Sequence, residues 1–147
     1  MPVKTAYIED GVASVEWLEI NKYYKKLRKD HPHKLYLGEL LSLKHLTVEK
    51  ETEHLVNIIE NNHKIDTSRE SFINNQLLEV FNIAYQISRG QENLDELIAV
   101  GNQLLVLETN NLIGSQTKIS LDEFLDQLYR KIYSACIEYN RNRYCKK

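Results

Sequence analysis

The chain has 147 residues, 42 % of them hydrophobic and 27 % charged, with a formal net charge of −2. These are the proportions of a globular chain with a real core, and they exclude bulk disorder, collagen and a disulfide-stapled miniprotein. Five Gly and two Pro are too few for the turns of a many-stranded β fold, and two Cys make no disulfide framework.

Apolar residues recur at helical spacing almost throughout. The first ten residues carry no apolar run of signal-peptide length, which points to a cytoplasmic protein with reduced thiols. Ala13, Trp17, Ile20, Tyr24 and Leu27 step by four and three. They predict a helix over residues 11–30, ended by Pro32 because the residue before proline avoids helical angles. From Lys34 to Asn62 the stripe is interrupted at Lys44, His45 and Thr52. Thr47 followed by Glu49 and Glu51 reads as a fresh start. The region is either one kinked helix or two, over 34–46 and 47–62, breaking near Leu46–Thr47.

Thr67-Ser68-Arg69-Glu70 fits a capping box ahead of Ile73, Leu77, Val80, Ala84 and Ile87, and Gly90 fits a left-handed cap, giving a helix over 68–89. Asn93 is a weaker cap for a helix over 93–112. Its stripe is Leu94, Leu97, Ile98, Gly101, Leu104 and Leu105. A second capping box, Ser120-Leu121-Asp122-Glu123, opens a helix over 121–143 with Leu121, Leu125, Leu128, Ile132, Ala135 and Tyr139 on one face. No segment alternates with period two for long enough to predict a strand. The expectation is an all-α protein, a single helical domain over residues 1–147, built as an up-and-down bundle of five to six helices.

Charge is segregated along the chain. Residues 51–128 carry 4 Lys/Arg against 13 Asp/Glu, while residues 129–147 carry 6 against 1. Two basic clusters stand out: Lys22 to Lys34, with Lys25, Arg28 and Lys29 at its centre, and Arg141 to Lys147. Both fall at predicted helix C-termini, where cations meet the negative end of the helix dipole. In a five-helix bundle the first and last helices run parallel, so both clusters would share one pole. Asp10, Asp66, Glu70, Asp122 and Glu123 would then share the other.

Candidate chemistry is sparse. Glu51-x-x-His54 and Glu60-x-x-His63 have the spacing of di-iron ligands, but nine residues on one helix turn them to opposite sides. They therefore read as solvated positions. His31-Pro32-His33 offers two imidazoles without a third metal ligand. Cys136 lies on the last helix's buried stripe and reads as core, while Cys145 lies in the basic tail. Gly-rich phosphate loops, Walker motifs and hydrolase elbows are absent, so no catalytic residue, metal or cofactor is expected.

Two local resemblances remain. Arg28 and His33, with four residues between them, resemble the ribonuclease motif of HEPN helical domains, which implies those two as a nuclease pair. The family carries that motif on a helix, and here Pro32 interrupts it. Leu37-Gly38-Glu39-Leu40-Leu41, Leu46-Thr47 and Glu53-His54-Leu55 look like half of the N-terminal helical domain of pilus-assembly and type II secretion ATPases, some of which bind cyclic di-GMP. Tyr36 replaces that family's arginine. The resemblance covers about 20 of the 147 residues and implies a helix-turn-helix packing pattern with no site residues.

Nine Tyr stand against three Phe and one Trp. Tyr129, Tyr133, Tyr139 and Tyr144 sit on the last helix among Arg130, Lys131, Arg141 and Arg143. Tyr and Arg are the residues enriched at binding hot spots. The expected function is therefore a helical adaptor, regulator or inhibitor without catalytic activity. It would contact another protein, or a second copy of itself, through Tyr133, Arg141, Arg143, Tyr144, Lys25, Arg28 and Lys29. The alternative is a nucleic-acid-associated regulator using a basic pole formed by Lys22–Lys34 and Arg141–Lys147. No membrane contact is expected.

Overall fold

Six helices follow one another: α1 Val15–Lys26, α2 Pro32–Ser42, α3 Val48–Glu60, α4 Ile65–Ser88, α5 Leu94–Asn111 and α6 Leu121–Cys145. The computed structural model describes residues 8–9, 12–13, 15–43, 45–88, 93–115 and 118–145. Ahead of the helices, β1 (Ile8–Glu9) and β2 (Val12–Ala13) form a two-residue antiparallel ladder, Ile8 opposite Ala13 and Glu9 opposite Val12. Two residues per strand are too few to leave a period-two signature. The fold is all-α, its helices packed on one another as a bundle.

The helix ends follow local chemistry, with some corrections to the sequence reading. Pro32 does not end the first helix. That helix stops at Lys26, and Pro32 opens α2 at its first turn. Proline is well placed there, since its missing N–H is one of the four without an intrahelical partner. His31 caps the turn, its Nδ1 accepting from the His33 amide at 3.0 Å. The kinked region is two helices. Thr47 accepts from the Lys50 amide at 3.1 Å to start α3, and Asn61, in the left-handed conformation at φ 52, ends it.

The capping box expected at Thr67 is not formed, because α4 starts earlier, at Ile65. Asn62 supports that start, its side chain accepting from the Lys64 amide at 2.9 Å. Ser68 instead turns inward and bonds Asn57 and His54, both at 2.8 Å. Asn93 makes no side-chain cap, and Gly90 lies outside the described residues. The second box does form. Ser120 Oγ accepts from the Glu123 amide at 3.1 Å, and the Glu123 carboxylate accepts from the Ser120 amide at 3.3 Å. Ser120→Ala will lower stability by about 1 kcal/mol, the usual worth of a hydroxyl cap, measured by urea denaturation.

α4 is the axis of the bundle. Phe72, Gln76, Val80, Phe81 and Ala84 are fully enclosed. Helix directions follow from which residues meet. On α3, Glu51 reaches Asn75 and Gln76 while Asn57 reaches Ser68, so α3 runs antiparallel to α4. α2 runs the same way, from Tyr36 packed on Phe81 toward Leu46, whose amide donates to Asn75 Oδ1 at 3.2 Å. Thus α2 and α3 descend one after the other and count as a single leg. α5 and α6 are antiparallel neighbours, joined by Glu96–Tyr139 at one end and Glu108–Lys131 at the other. The C-terminal turn of α1 packs Tyr23 on Phe81 and Tyr85 near the end of α4. The order along the bundle is that of five legs, and the ends of α1 and α6 come to the same pole.

Gly101 sets the spacing between α4, α5 and α6. A Cβ there would lie 2.6 Å from Val80 Cγ1 and 3.2 Å from Ile132 Cγ2. The glycine lets three helices approach where any side chain would hold them apart.

Candidate functional site

The first turn of α5 is the point on which Lys25, Lys26, Arg28 and Lys29 of the first basic cluster and Arg141 of the second converge. Asp95 contacts His33 at the start of α2. One residue on, Glu96 accepts from the Tyr139 hydroxyl near the end of α6. Asn93 Nδ2 donates to Asn140 Oδ1, and Asn140 Nδ2 donates to the Ile87 carbonyl at 3.1 Å. A helical turn is ~5.4 Å long, so these anchors fix the ends of α1, α2 and α6 around one small area. Lys25, Lys26, Arg28, Lys29 and Arg141 are all exposed there. Asp66, Glu70, Asp122 and Glu123, at the starts of α4 and α6, lie exposed toward the opposite end. Asp10 lies outside the described residues.

The basic side is held together by a chain of three side chains. His33 is only 8 % exposed. Its Nε2 meets the Asp95 carboxylate, and its Nδ1 lies 2.6 Å from the Tyr23 hydroxyl. A carboxylate can only accept, so Nε2 carries a hydrogen; in the neutral imidazole Nδ1 then accepts from Tyr23. The chain ties α1 to α2 and α2 to α5. Both ring nitrogens are engaged, which leaves neither to act as a base on an outside molecule without opening the link.

Tyr23 is pushed up to about 12, first by burial and then by the neighbouring Tyr85 and Asp95. Folding therefore favours the neutral phenol over its ordinary value of 10.0. A folded-state value above the unfolded one contributes stability that is complete below pH 10 and is lost as pH rises toward 12. Urea-denaturation stability should fall across that window, and the fall should be smaller in Tyr23→Phe.

The residues expected to bind a partner divide into three groups. Lys25, Arg28, Lys29 and Arg141 are brought to one pole, with Arg28 held 3.8 Å from Asp30. Arg143 and Tyr144 belong to α6, but their side chains lie outside the described residues, as do Lys146 and Lys147. Tyr133 is 43 % exposed, yet it lies eight residues before Arg141, ~12 Å down the helix, and does not join the pole.

Glu51 is not a solvated position. It is 1 % exposed, its carboxylate accepting from Asn75 Nδ2 at 2.7 Å and from Gln76 Nε2, whose carbonyl in turn accepts from Tyr129. His54 bonds Ser68, whereas Glu60 and His63 face solvent. Among the described residues no three His, Cys, Asp or Glu side chains gather as metal ligands. The Arg28/His33 spacing is split between the α1–α2 loop and the first turn of α2. Arg28 faces solvent there and His33 is held by Tyr23 and Asp95. Cys136 is fully buried, and burial pushes its thiol up to about 11, as befits a core residue.

Tyr23, His33 and Asp95 were not legible as a group, because 62 residues separate His33 from Asp95 and the motifs that include His33 contain neither Tyr23 nor Asp95. No family model, curated protein or solved structure matches this chain. Among the described residues no helix is long and apolar enough to cross a membrane.

Proposed function

We propose that this protein is a non-catalytic helical binding module, an adaptor or regulator that docks on an acidic surface of another protein through its basic pole. The convergence of the α1, α2 and α6 ends on the first turn of α5 carries this reading. It gathers exposed Lys25, Lys26, Lys29 and Arg141 from segments more than 100 residues apart. Clustered exposed cations raise the encounter rate with acidic partners and fix their orientation. Both ring nitrogens of His33 are engaged and the Cys136 thiol is buried and protonated, so neither of these two residues stands ready as a base or nucleophile.

The same convergence favours a second reading, a polyanionic nucleic acid. Asp30, Asp95 and Glu96 interleaved with the cations count against it, as does the acidic opposite end. Capture from nuclease-treated source lysate distinguishes the two, comparing wild type with Lys25→Glu/Arg141→Glu. A partner that survives nuclease and is lost with charge reversal supports the protein-docking reading. A partner lost on nuclease treatment, or one indifferent to charge reversal, contradicts it.

A further inference from the structure

Beside the pole, the end of α1 and the exposed side of α2 enclose an open groove of ≈ 490 Å³, lined by Tyr24, Lys29, Lys34, Leu35, Gly38, Glu39 and Ser42. We infer that this groove docks an extended acidic segment of the partner protein, with carboxylates on Lys29 and Lys34 and one apolar side chain laid on Leu35. The inference rests on the basic-pole reading and narrows it to one recognition element.

Lys34 is preset for this. Its Nζ donates to the Tyr24 carbonyl at 2.7 Å and stands 3.9 Å from the centre of the Tyr24 ring. An ammonium has three N–H groups, so two remain for an incoming carboxylate while the first holds the side chain in place. That preorganisation reduces the ordering cost of binding. Lys29 is exposed at the same end, and among the described residues no carboxylate pairs with either lysine.

The apolar element is equally specific. Leu35 is 60 % exposed, on the wall of the groove. Gly38, one helical turn on, keeps the floor open. A Cβ there would lie 3.4 Å from the Tyr24 hydroxyl, so a larger side chain would cover the ring and fill the groove. Glu39 and Ser42 occupy the far end, and the Ser42 hydroxyl donates to the Glu39 carbonyl at 2.7 Å. Glu39 repels a second carboxylate. The bound segment is therefore acidic at the Lys29/Lys34 end and not along its whole length, which disfavours a uniform polyanion.

The test is fluorescence anisotropy on the full chain at low salt. The probe is a short labelled peptide with two glutamates at one end, a single leucine beside them and uncharged residues beyond, with a leucine-to-alanine peptide as control. Wild type should bind the leucine peptide several-fold more tightly than the control. Lys34→Met should weaken binding about tenfold. Gly38→Leu should weaken it at least as much while keeping or raising the melting temperature, because glycine is the poorer helix former. That variant separates a filled groove from a damaged fold.

Binding that ignores Gly38→Leu and the peptide's leucine overturns the groove while leaving the pole intact. Absence of any peptide binding at millimolar concentration overturns it as well. Displacement of the peptide by single-stranded oligonucleotide, or a dimer by light scattering that Gly38→Leu dissolves, gives the groove a different occupant and also overturns it. Failure of the pole itself is read separately, from Lys25→Glu/Arg141→Glu in the capture experiment, since neither residue lines the groove.

Discussion

Glu51→Ala will remove roughly 2–6 kcal/mol of stability, a large share of the 5–15 kcal/mol typical of a folded domain. The carboxylate lies at 1 % exposure between two amide donors, Asn75 Nδ2 and Gln76 Nε2, and both lose it as their acceptor. A buried amide hydrogen that loses its acceptor costs about 1–3 kcal/mol, and two amides each lose one here, Gln76 Nε2 keeping the Phe72 carbonyl at 3.3 Å. Tyr129→Phe will cost about 1–3 kcal/mol by removing the donor to the Gln76 carbonyl. Both changes act through Gln76, so the double variant will be less destabilised than the two losses added together. Urea denaturation of the four proteins measures the cycle. Strict additivity would mean that Gln76 does not couple α3 to α6.

Gly101→Leu will have the other large effect, a loss of at least 1–3 kcal/mol, the range for forcing extra methylenes into a packed core. The alanine variant separates the competing terms. Replacing a mid-helix glycine by alanine gains up to about 1 kcal/mol in helix propensity. Against that, the new Cβ would sit 2.6 Å from Val80 Cγ1, on a β-branched side chain with little rotamer freedom in a helix. The clash outweighs propensity, so Gly101→Ala will be destabilised in thermal melts. Adding Val80→Ala, which removes the clashing methyl, will recover part of the loss. A stabilised Gly101→Ala would show that α4 and α5 do not approach this closely.

These two sites also show where the sequence was readable and where it was not. The apolar stripe of α4, Ile73 to Ile87, includes Val80, which meets Gly101 of α5, and the all-α class follows from such stripes. Asn75, Gln76, Glu79 and Asn82 are equally enclosed, but they are polar and leave no trace in hydrophobic periodicity. A central helix buried on more than one face carries a pattern that periodicity reads as one-sided. The Glu51 network escaped for the same reason: a carboxylate and amides read as surface until their partners are known.

Caps were legible where hydroxyl and glutamate act locally, as at Ser120 and Thr47, and misread at Thr67, because α4 begins earlier, at Ile65, and Ser68 turns inward to α3. Pro32 was ambiguous in principle, because proline both excludes a helix before it and suits the first turn after it. At the basic pole the charges were visible in sequence, and their shared end followed from counting legs. The chain Tyr23–His33–Asp95 and the Gly38 groove depend on contacts between distant segments, which spacing does not encode.

The shared pole is tested most directly by an electron–electron distance. Spin labels at Lys25→Cys and Arg141→Cys, with Cys145 replaced by Ser and the buried Cys136 left in place, report the separation of the two basic clusters. Convergence on the first turn of α5 predicts a single distribution centred below about 25 Å. A helix the length of α4, 24 residues at ~1.5 Å each, spans ~36 Å. A distribution centred at that length or beyond would put the clusters at opposite ends and contradict the account.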